Sequence, residues 1–101
     1  MTLHLVIHRP AAAEGSEDAA AERHALQEAV WEVADSHWAP TEEALMVSCD
    51  LSPAYLLSHF KVGLARRGHK QPGLLLVVPM GREVACMGLP PDGEAWMREA
   101  L

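Results

Sequence analysis

The first segment of the chain alternates in the period-two pattern that is typical of a β-strand. Residues 3–8 read L-H-L-V-I-H, so one face is entirely apolar and the other carries His4 and His8. A strand with this pattern buries its apolar face. We therefore expect the face of residues 3, 5 and 7 to pack into the core. The histidine-bearing face should be thinly covered.

The next segment changes to the three-and-four spacing of an amphipathic helix, predicted from Glu17 to His37. Leu26 and Val30 lie on its apolar stripe, whereas acidic residues, among them Glu22, fill much of the other side. Such a polar face is usually solvated. Ala39-Pro40 should stop the helix, because the residue before a proline disfavours helical backbone.

Five further elements are predicted along the remaining chain. They are a strand over 44–49, a helix from Pro53 ending at Gly68, a strand over 73–78, a strand over 83–87 and a helix over 92–101. Ser16 and Ser52 are suited to cap the first two helices, and proline at the first helical position strengthens the second start. The short turn P-M-G-R should join the last two strands into an antiparallel hairpin.

This order, β-α-β-α-β-β-α, predicts an α/β fold with a four-stranded mixed sheet. The first strand-helix-strand unit should form a right-handed parallel crossover. The unbroken apolar run from Leu74 to Val78 requires cover on both faces. We therefore expect this strand to be central, with helices on both faces of the sheet.

Composition narrows the class of protein further. The 101 residues suit one domain spanning 1–101, and half of them are apolar. The net charge of −6 argues against general nucleic-acid binding, which needs basic side chains. No apolar run reaches membrane-spanning length, and the two separated cysteines are typical of a reduced compartment. These features favour a cytoplasmic protein.

The C-terminal third resembles the thioredoxin-like fold superfamily. In those proteins a proline immediately precedes an apolar core strand, which is followed by a glycine-containing turn, a strand of small apolar residues and a final helix. The matching pieces here are Gln71-Pro72, Leu74–Val78, Met80-Gly81-Arg82, Glu83–Cys86 and the helix from Asp92 to Leu101. The resemblance implies the β-α-β-α-β-β-α fold, and it implies a cis bond before Pro72.

The chain departs from the redox members of that superfamily at one decisive place. Their Cys-x-x-Cys motif lies between the first strand and the first helix, and residues 10–18 contain no cysteine. Glu14, Glu17 and Asp18 also place negative charge there, which disfavours a thiolate. The comparison therefore favours a redox-inactive, non-catalytic member that needs no cofactor.

Two cysteines remain to be placed. Cys49 ends a predicted strand, and one alternative is a single-cysteine thiol or glutathione-linked enzyme that uses Cys49 near Pro72. The other is that Cys49 is a small buried packing residue, as free cysteines commonly are. Cys86 is expected to pack as well, and no disulfide is expected because the two predicted strands lie at opposite edges of the sheet.

Six histidines raise the question of a metal site, but their spacing does not support one. His4 and His8 are about 13 Å apart along a strand, too far to share an ion. The chain contains no C-x-x-C spacing. We therefore expect no metal site.

The segment 61–70 concentrates basic residues near the end of the second helix: Lys61, Arg66, Arg67 and Lys70. One hypothesis is that this segment binds nucleic acid. The other is that it supplies the positive charge commonly found at a helix C-terminus. No aromatic residues are interleaved to stack on bases, so the second is favoured.

Trp31 and Trp38 lie beside and beyond the apolar stripe of the first helix. Exposed aromatic side chains are enriched at protein interfaces. The leading functional hypothesis is therefore a non-catalytic protein-binding or accessory domain, with a protein partner or a second copy as its ligand. Trp31, Trp38 and Pro72 are the expected contact residues.

Overall fold

The computed structural model describes residues 2–101, which form a four-stranded sheet and three helices. The elements are β1 (Thr2–Arg9), α1 (Glu17–Val33), β2 (Ser36–Thr41), β3 (Ala44–Cys49), α2 (Pro53–Arg66), β4 (Leu74–Pro79) and α3 (Pro91–Ala100). The strand order is β2-β3-β1-β4, and every neighbouring pair is antiparallel. The predicted α/β class is thus confirmed, but the predicted mixed sheet is wrong.

The topology follows from two strand-helix-strand units that interlock. β1 and β2 run parallel with β3 between them, and β3 and β4 run parallel with β1 between them. This is the split β-α-β arrangement, also called ferredoxin-like. The arrangement fixes which strands are at the edges, although it does not by itself indicate a function.

The first prediction that fails is the length of the first helix. α1 ends at Val33, and Ala34 already has extended backbone angles, so residues 36–41 form the strand β2 rather than a last helical turn. Pro40 is tolerated within this strand because β2 is at the edge of the sheet. The extra strand reverses the direction of β3, which therefore pairs antiparallel with β1.

The strand predicted over 73–78 is present as β4, but its predicted place in the sheet and the strand predicted after it are wrong. β4 pairs only with β1 and lies at the edge of the sheet, whereas we expected a central strand. Residues 83–87 form no strand. This segment instead turns onto one sheet face, where Val84 and Leu89 are half-buried.

These differences also separate the fold from the thioredoxin-like arrangement. That arrangement requires a central strand after Pro72 and an antiparallel hairpin behind it, and the observed strand order provides neither. The Gln71–Pro72 bond is trans, contrary to the expected cis bond. Pro72 precedes an edge strand, which is a common position for proline.

Helices cover both faces of the sheet, as expected. α1 and α2 pack on one face, where Val6, Val47 and Phe60 are fully buried. α3 packs on the other face, where Met97 lies against Leu3 and Met46. The α3 face is only partly covered, because α3 is a short helix of 10 residues.

The face of β1 that was predicted to be thinly covered is the better-buried one, although Leu3 on the predicted core face is also buried, as expected. His4 and His8 lie under α1 and α2, where they are 1% and 3% exposed. Leu5 and Ile7, on the predicted core face, are only half-buried. Two helices outweigh one in covering the sheet, so the half-polar face became the better-buried face.

Candidate functional site

A buried polar pair lies under α1. His8 Nε2 lies 2.6 Å from Glu22 Oε2, and both side chains are 4% exposed. Glu22 was expected on the solvated side of the helix, and that prediction is wrong. A carboxylate at this depth is stable only when it is paired and hydrogen-bonded.

Glu22 also holds two loops together. Its Oε1 accepts a hydrogen bond from the backbone N–H of Ala11 at 3.2 Å, and its Oε2 accepts one from Gly73 at 3.1 Å. Ala11 follows β1 and Gly73 precedes β4. One carboxylate therefore fixes the point at which the chain enters β4.

The hydrogen bonds determine the charge state of Glu22. Burial raises the pKa of this carboxyl, but the hydrogen bonds from His8, Gly73 and Ala11, together with the electrostatic attraction of His8, outweigh burial and hold the pKa below its usual value. Glu22 is thus an ionised, fully bonded group, and both oxygens already have partners. This arrangement suits a structural clamp rather than an acid–base catalyst.

The second unusual feature is the outer half of the α3 face, at β4. Leu74, Leu76 and Val78 point to this face and are 54%, 50% and 41% exposed. They lie beside Leu5 and Ile7 of β1, which pair with Val78 and Leu76 of β4, respectively. Leu5 packs against the α3-side core cluster, whereas Ile7 and the three β4 side chains form an apolar strip outside that cluster.

The backbone of β4 is open along the same edge. Met80 N–H donates to Leu3 C=O, and His8 N–H points the other way, to Glu43 C=O of the β2–β3 turn. In an antiparallel strand, the backbone N–H and C=O groups of successive residues point alternately to the two sides of the strand. The backbone groups of Leu74, Leu76 and Val78 therefore bond to β1, whereas those of Leu75 and Val77 face outward. Within residues 2–101 the outward N–H and C=O groups of Leu75 and Val77 have no backbone partner.

We name the β4 surface as the exposed side chains of Leu74, Leu76 and Val78 together with the outward backbone of Leu75 and Val77. Proteins usually protect a sheet edge with lysine, a bulge or a covering segment. The sequence of β4, L-L-L-V-V-P, contains no charge, and proline protects only its last position. An apolar edge of this kind is typical of a surface that binds another chain.

The predicted thiol site is closed. Cys49 is 1% exposed, and its Sγ lies 3.9 Å from His4 Nδ1 beneath the helices. Cys49 and Cys86 are both free, as predicted. Cys49 therefore packs in the core, where a bulky thiol substrate has no access.

Cys86 was expected to pack, but it is exposed. Its thiol donates to Glu94 Oε1 at 3.4 Å. Partial desolvation, and then the hydrogen bond and the negative charge of Glu94, raise the pKa of Cys86. A raised pKa lowers the thiolate fraction, so Cys86 is exposed without being activated.

The two tryptophans do not contribute equally to a surface. Trp31 is 53% exposed on α1, and its ring centre lies 6.2 Å from that of His37. Trp38 is half-buried among the residues that pack around α3. It lies so close to Gly93 that a side chain there would overlap its ring. Only Trp31 is available as an exposed contact.

The basic segment is partly neutralised by α1. Lys61, Arg66 and Lys70 are exposed. Arg67 donates to Gly63 C=O, and it lies 3.8 Å from a carboxylate oxygen of Glu28 and 3.7 Å from one of Glu32. Two carboxylates therefore lie beside Arg67, and they weaken the positive field that binding of a phosphate backbone would require.

Neither the comparisons with known proteins nor a search for metal-binding groups gives an independent indication of function. The chain matches no family model, no curated protein and no solved structure. In the described part of the chain, no three histidine, cysteine or acidic residues are grouped to hold a metal ion. No helix within residues 2–101 is long and apolar enough to cross a membrane.

Proposed function

We propose that this protein is a non-catalytic binding domain whose contact site is the β4 surface. The proposal rests on two features that occur together at one edge of the sheet: exposed apolar side chains and backbone groups that are unpaired within residues 2–101. Three half-exposed apolar side chains and two outward backbone segments lie on the same strand. Burying the side chains and pairing the backbone would stabilise a complex through one contact.

The expected mode of binding is the addition of a strand to the sheet. In this mode backbone hydrogen bonds supply much of the affinity, and alternate side chains supply the specificity. A ligand strand that pairs with β4 would present alternate side chains toward Leu74, Leu76 and Val78. The best ligand is therefore an extended segment with apolar residues at every second position.

The two alternative functions have less support. A thiol enzyme at Cys49 requires access to a side chain that is 1% exposed. Nucleic-acid binding at 61–70 requires positive charge that Glu28 and Glu32 partly neutralise. The β4 surface needs no rearrangement to make its contact.

A photo-crosslinking amino acid at position 76 tests the proposal. Benzoylphenylalanine replacing Leu76 should form a covalent adduct when cells that produce the protein are irradiated, because this side chain lies in the proposed contact. Mass spectrometry of the adduct then identifies the bound chain.

The matched control is the same photo-crosslinking residue at Tyr55. Tyr55 is 57% exposed on α2, which covers the opposite face of the sheet. Adducts from position 76 and none from position 55 would support the proposal. Absence of adducts at 76, or equal yields at both positions, would contradict it.

A further inference from the structure

We infer that the chain bound at the β4 surface is a second copy of this protein, with the two β4 strands paired antiparallel about a two-fold axis at Leu76. This inference rests on the proposed function and names the partner. The two four-stranded sheets would then form one continuous sheet of eight strands.

The direction of the outward backbone groups fixes the register of this pairing. An axis at Leu76 places Leu75 opposite Val77 of the second copy, and Val77 opposite its Leu75. These are the residues whose N–H and C=O groups face outward, so each pair exchanges two hydrogen bonds. Four backbone hydrogen bonds form, and Leu76 lies opposite its own copy in a pair without hydrogen bonds.

The side chains fit the same register. Residues directly opposite each other on one sheet face are in contact. On the exposed face, Leu76 meets its own copy and Leu74 meets Val78 of the second copy. All six side chains on that face are apolar and partly exposed in the single chain. The pairing therefore continues the apolar strip across the axis without placing a charge in it.

Self-complementarity is the reason for choosing a second copy over a different protein. A two-fold contact uses the same patch on both copies, so the backbone and the side chains of the patch must be complementary to those of its own copy. β4 meets this condition: it carries no charge, although the whole chain has a net charge of −6 that opposes association elsewhere.

The size of the patch sets the expected strength of the dimer. Three half-exposed aliphatic side chains correspond to a patch of at most a few hundred Å². A standard stable interface uses roughly 800 Å² from each partner. We therefore expect a reversible dimer that forms with rising protein concentration, rather than a permanent one.

Cysteine cross-linking tests the register directly. The variant Leu76→Cys, made with Cys86→Ser to remove the exposed native thiol, places two thiols across the axis. Opposed residues in a pair without hydrogen bonds have Cα atoms about 4.5 Å apart, within the range of a disulfide. Oxidised glutathione should convert this variant to a covalent dimer.

Leu74→Cys in the same background is the matched control. Position 74 is equally exposed, but in the inferred register the two copies of residue 74 lie about 14 Å apart. Pre-positioned thiols react as if within one molecule, so Leu76→Cys should cross-link at least about tenfold faster than Leu74→Cys. Cys49 is buried and contributes no exposed thiol in either variant.

Sedimentation of the unmodified protein completes the test. A mass that rises from monomer to dimer between micromolar and millimolar concentration, together with selective cross-linking at 76, supports the inference. A monomer at every concentration, or equal cross-linking at 74 and 76, overturns it. If the dimer is ruled out in this way but the photo-crosslinking residue at position 76 still captures another protein, the proposed function stands with a different partner.

Discussion

Replacing Glu22 by alanine is expected to destabilise the fold more than any other change of a charged residue considered above. The substitution leaves buried His8 and the N–H groups of Ala11 and Gly73 without their acceptor. Removing one partner of a buried pair costs about 3–5 kcal/mol. A domain of this size has a free energy of unfolding of about 5–15 kcal/mol, so the variant should unfold at much lower urea concentration.

Glu28→Ala is the control for this effect. Glu28 lies on the same helix with a side chain that is 41% exposed, and its partners His24 and Arg67 are near the surface. Exposed ion pairs contribute about 0–1 kcal/mol, so this variant should unfold close to the wild type. Equal unfolding midpoints for Glu22→Ala and Glu28→Ala would refute the role of Glu22 as a clamp.

The pH dependence of unfolding gives the same residue a second signature. The pKa of Glu22 is lower in the folded protein than in the unfolded chain, so its stabilisation is complete above the unfolded value. That value is about 4.3. Stability should decline as the pH falls below it, until the folded carboxylate also takes up a proton. Glu22→Gln lacks this carboxylate, so the difference in unfolding free energy between wild type and Glu22→Gln should shrink as the pH falls through this range.

Replacing Gly73 by alanine is the second change with a large expected effect. A Cβ at this position would overlap the carbonyl oxygen of Arg9 and lie 2.7 Å from the nitrogen of Ala11. Both are backbone atoms, so a side-chain rotation cannot relieve the overlap. The loop must move, which also breaks the bond from Gly73 to Glu22. We expect a loss of about 3 kcal/mol or more, measured by urea unfolding.

Gly81→Ala separates this overlap from a general cost of losing glycine. A Cβ at Gly81 would meet no atom within 4 Å, and its backbone does not require a positive φ. Surface substitutions of this kind usually change stability by less than about 0.5 kcal/mol. A small effect at 73, similar to that at 81, would show that the two loops do not pack as closely as described.

The elements with strong local signals were predictable from the sequence. Ser16 and Ser52 accept hydrogen bonds from Ala19 and Tyr55, each at 3.1 Å, as their N-cap positions predicted. The strand over 44–49 matches β3, because an apolar run between turn residues has few other structures available. Local chemistry determines these elements, so tertiary context did not alter them.

Strand pairing was not predictable in the same way. β2 contains Pro40 and alternates weakly, so its apolar residues extended the helical pattern of α1. Missing that strand reversed the inferred direction of β3 and made β4 seem central. The run from Leu74 to Val78 is apolar on both faces whether it is central or at an edge. Only its pairing with β1 determines whether this strand is central or at the edge of the sheet.

The position of the candidate site was not predictable from the sequence. A protein-binding surface was expected at Trp31, Trp38 and Pro72, whereas the exposed apolar strip lies on β4 just after Pro72. Glu22 gave no local signal, since an acidic residue within a charged helix is usually solvated. Its burial depends on His8 and on two loops that are distant in sequence.

Residue-specific amide hydrogen exchange tests the central claim, that the β4 edge is the contact with a second copy. The amides of Leu76 and Val78 face β1 and should be protected at every protein concentration. The amides of Leu75 and Val77 face outward, so they should exchange fast in dilute protein and slow down as the concentration rises. Fast exchange of both outward amides at every concentration, including one at which the protein sediments as a dimer, would contradict the claim.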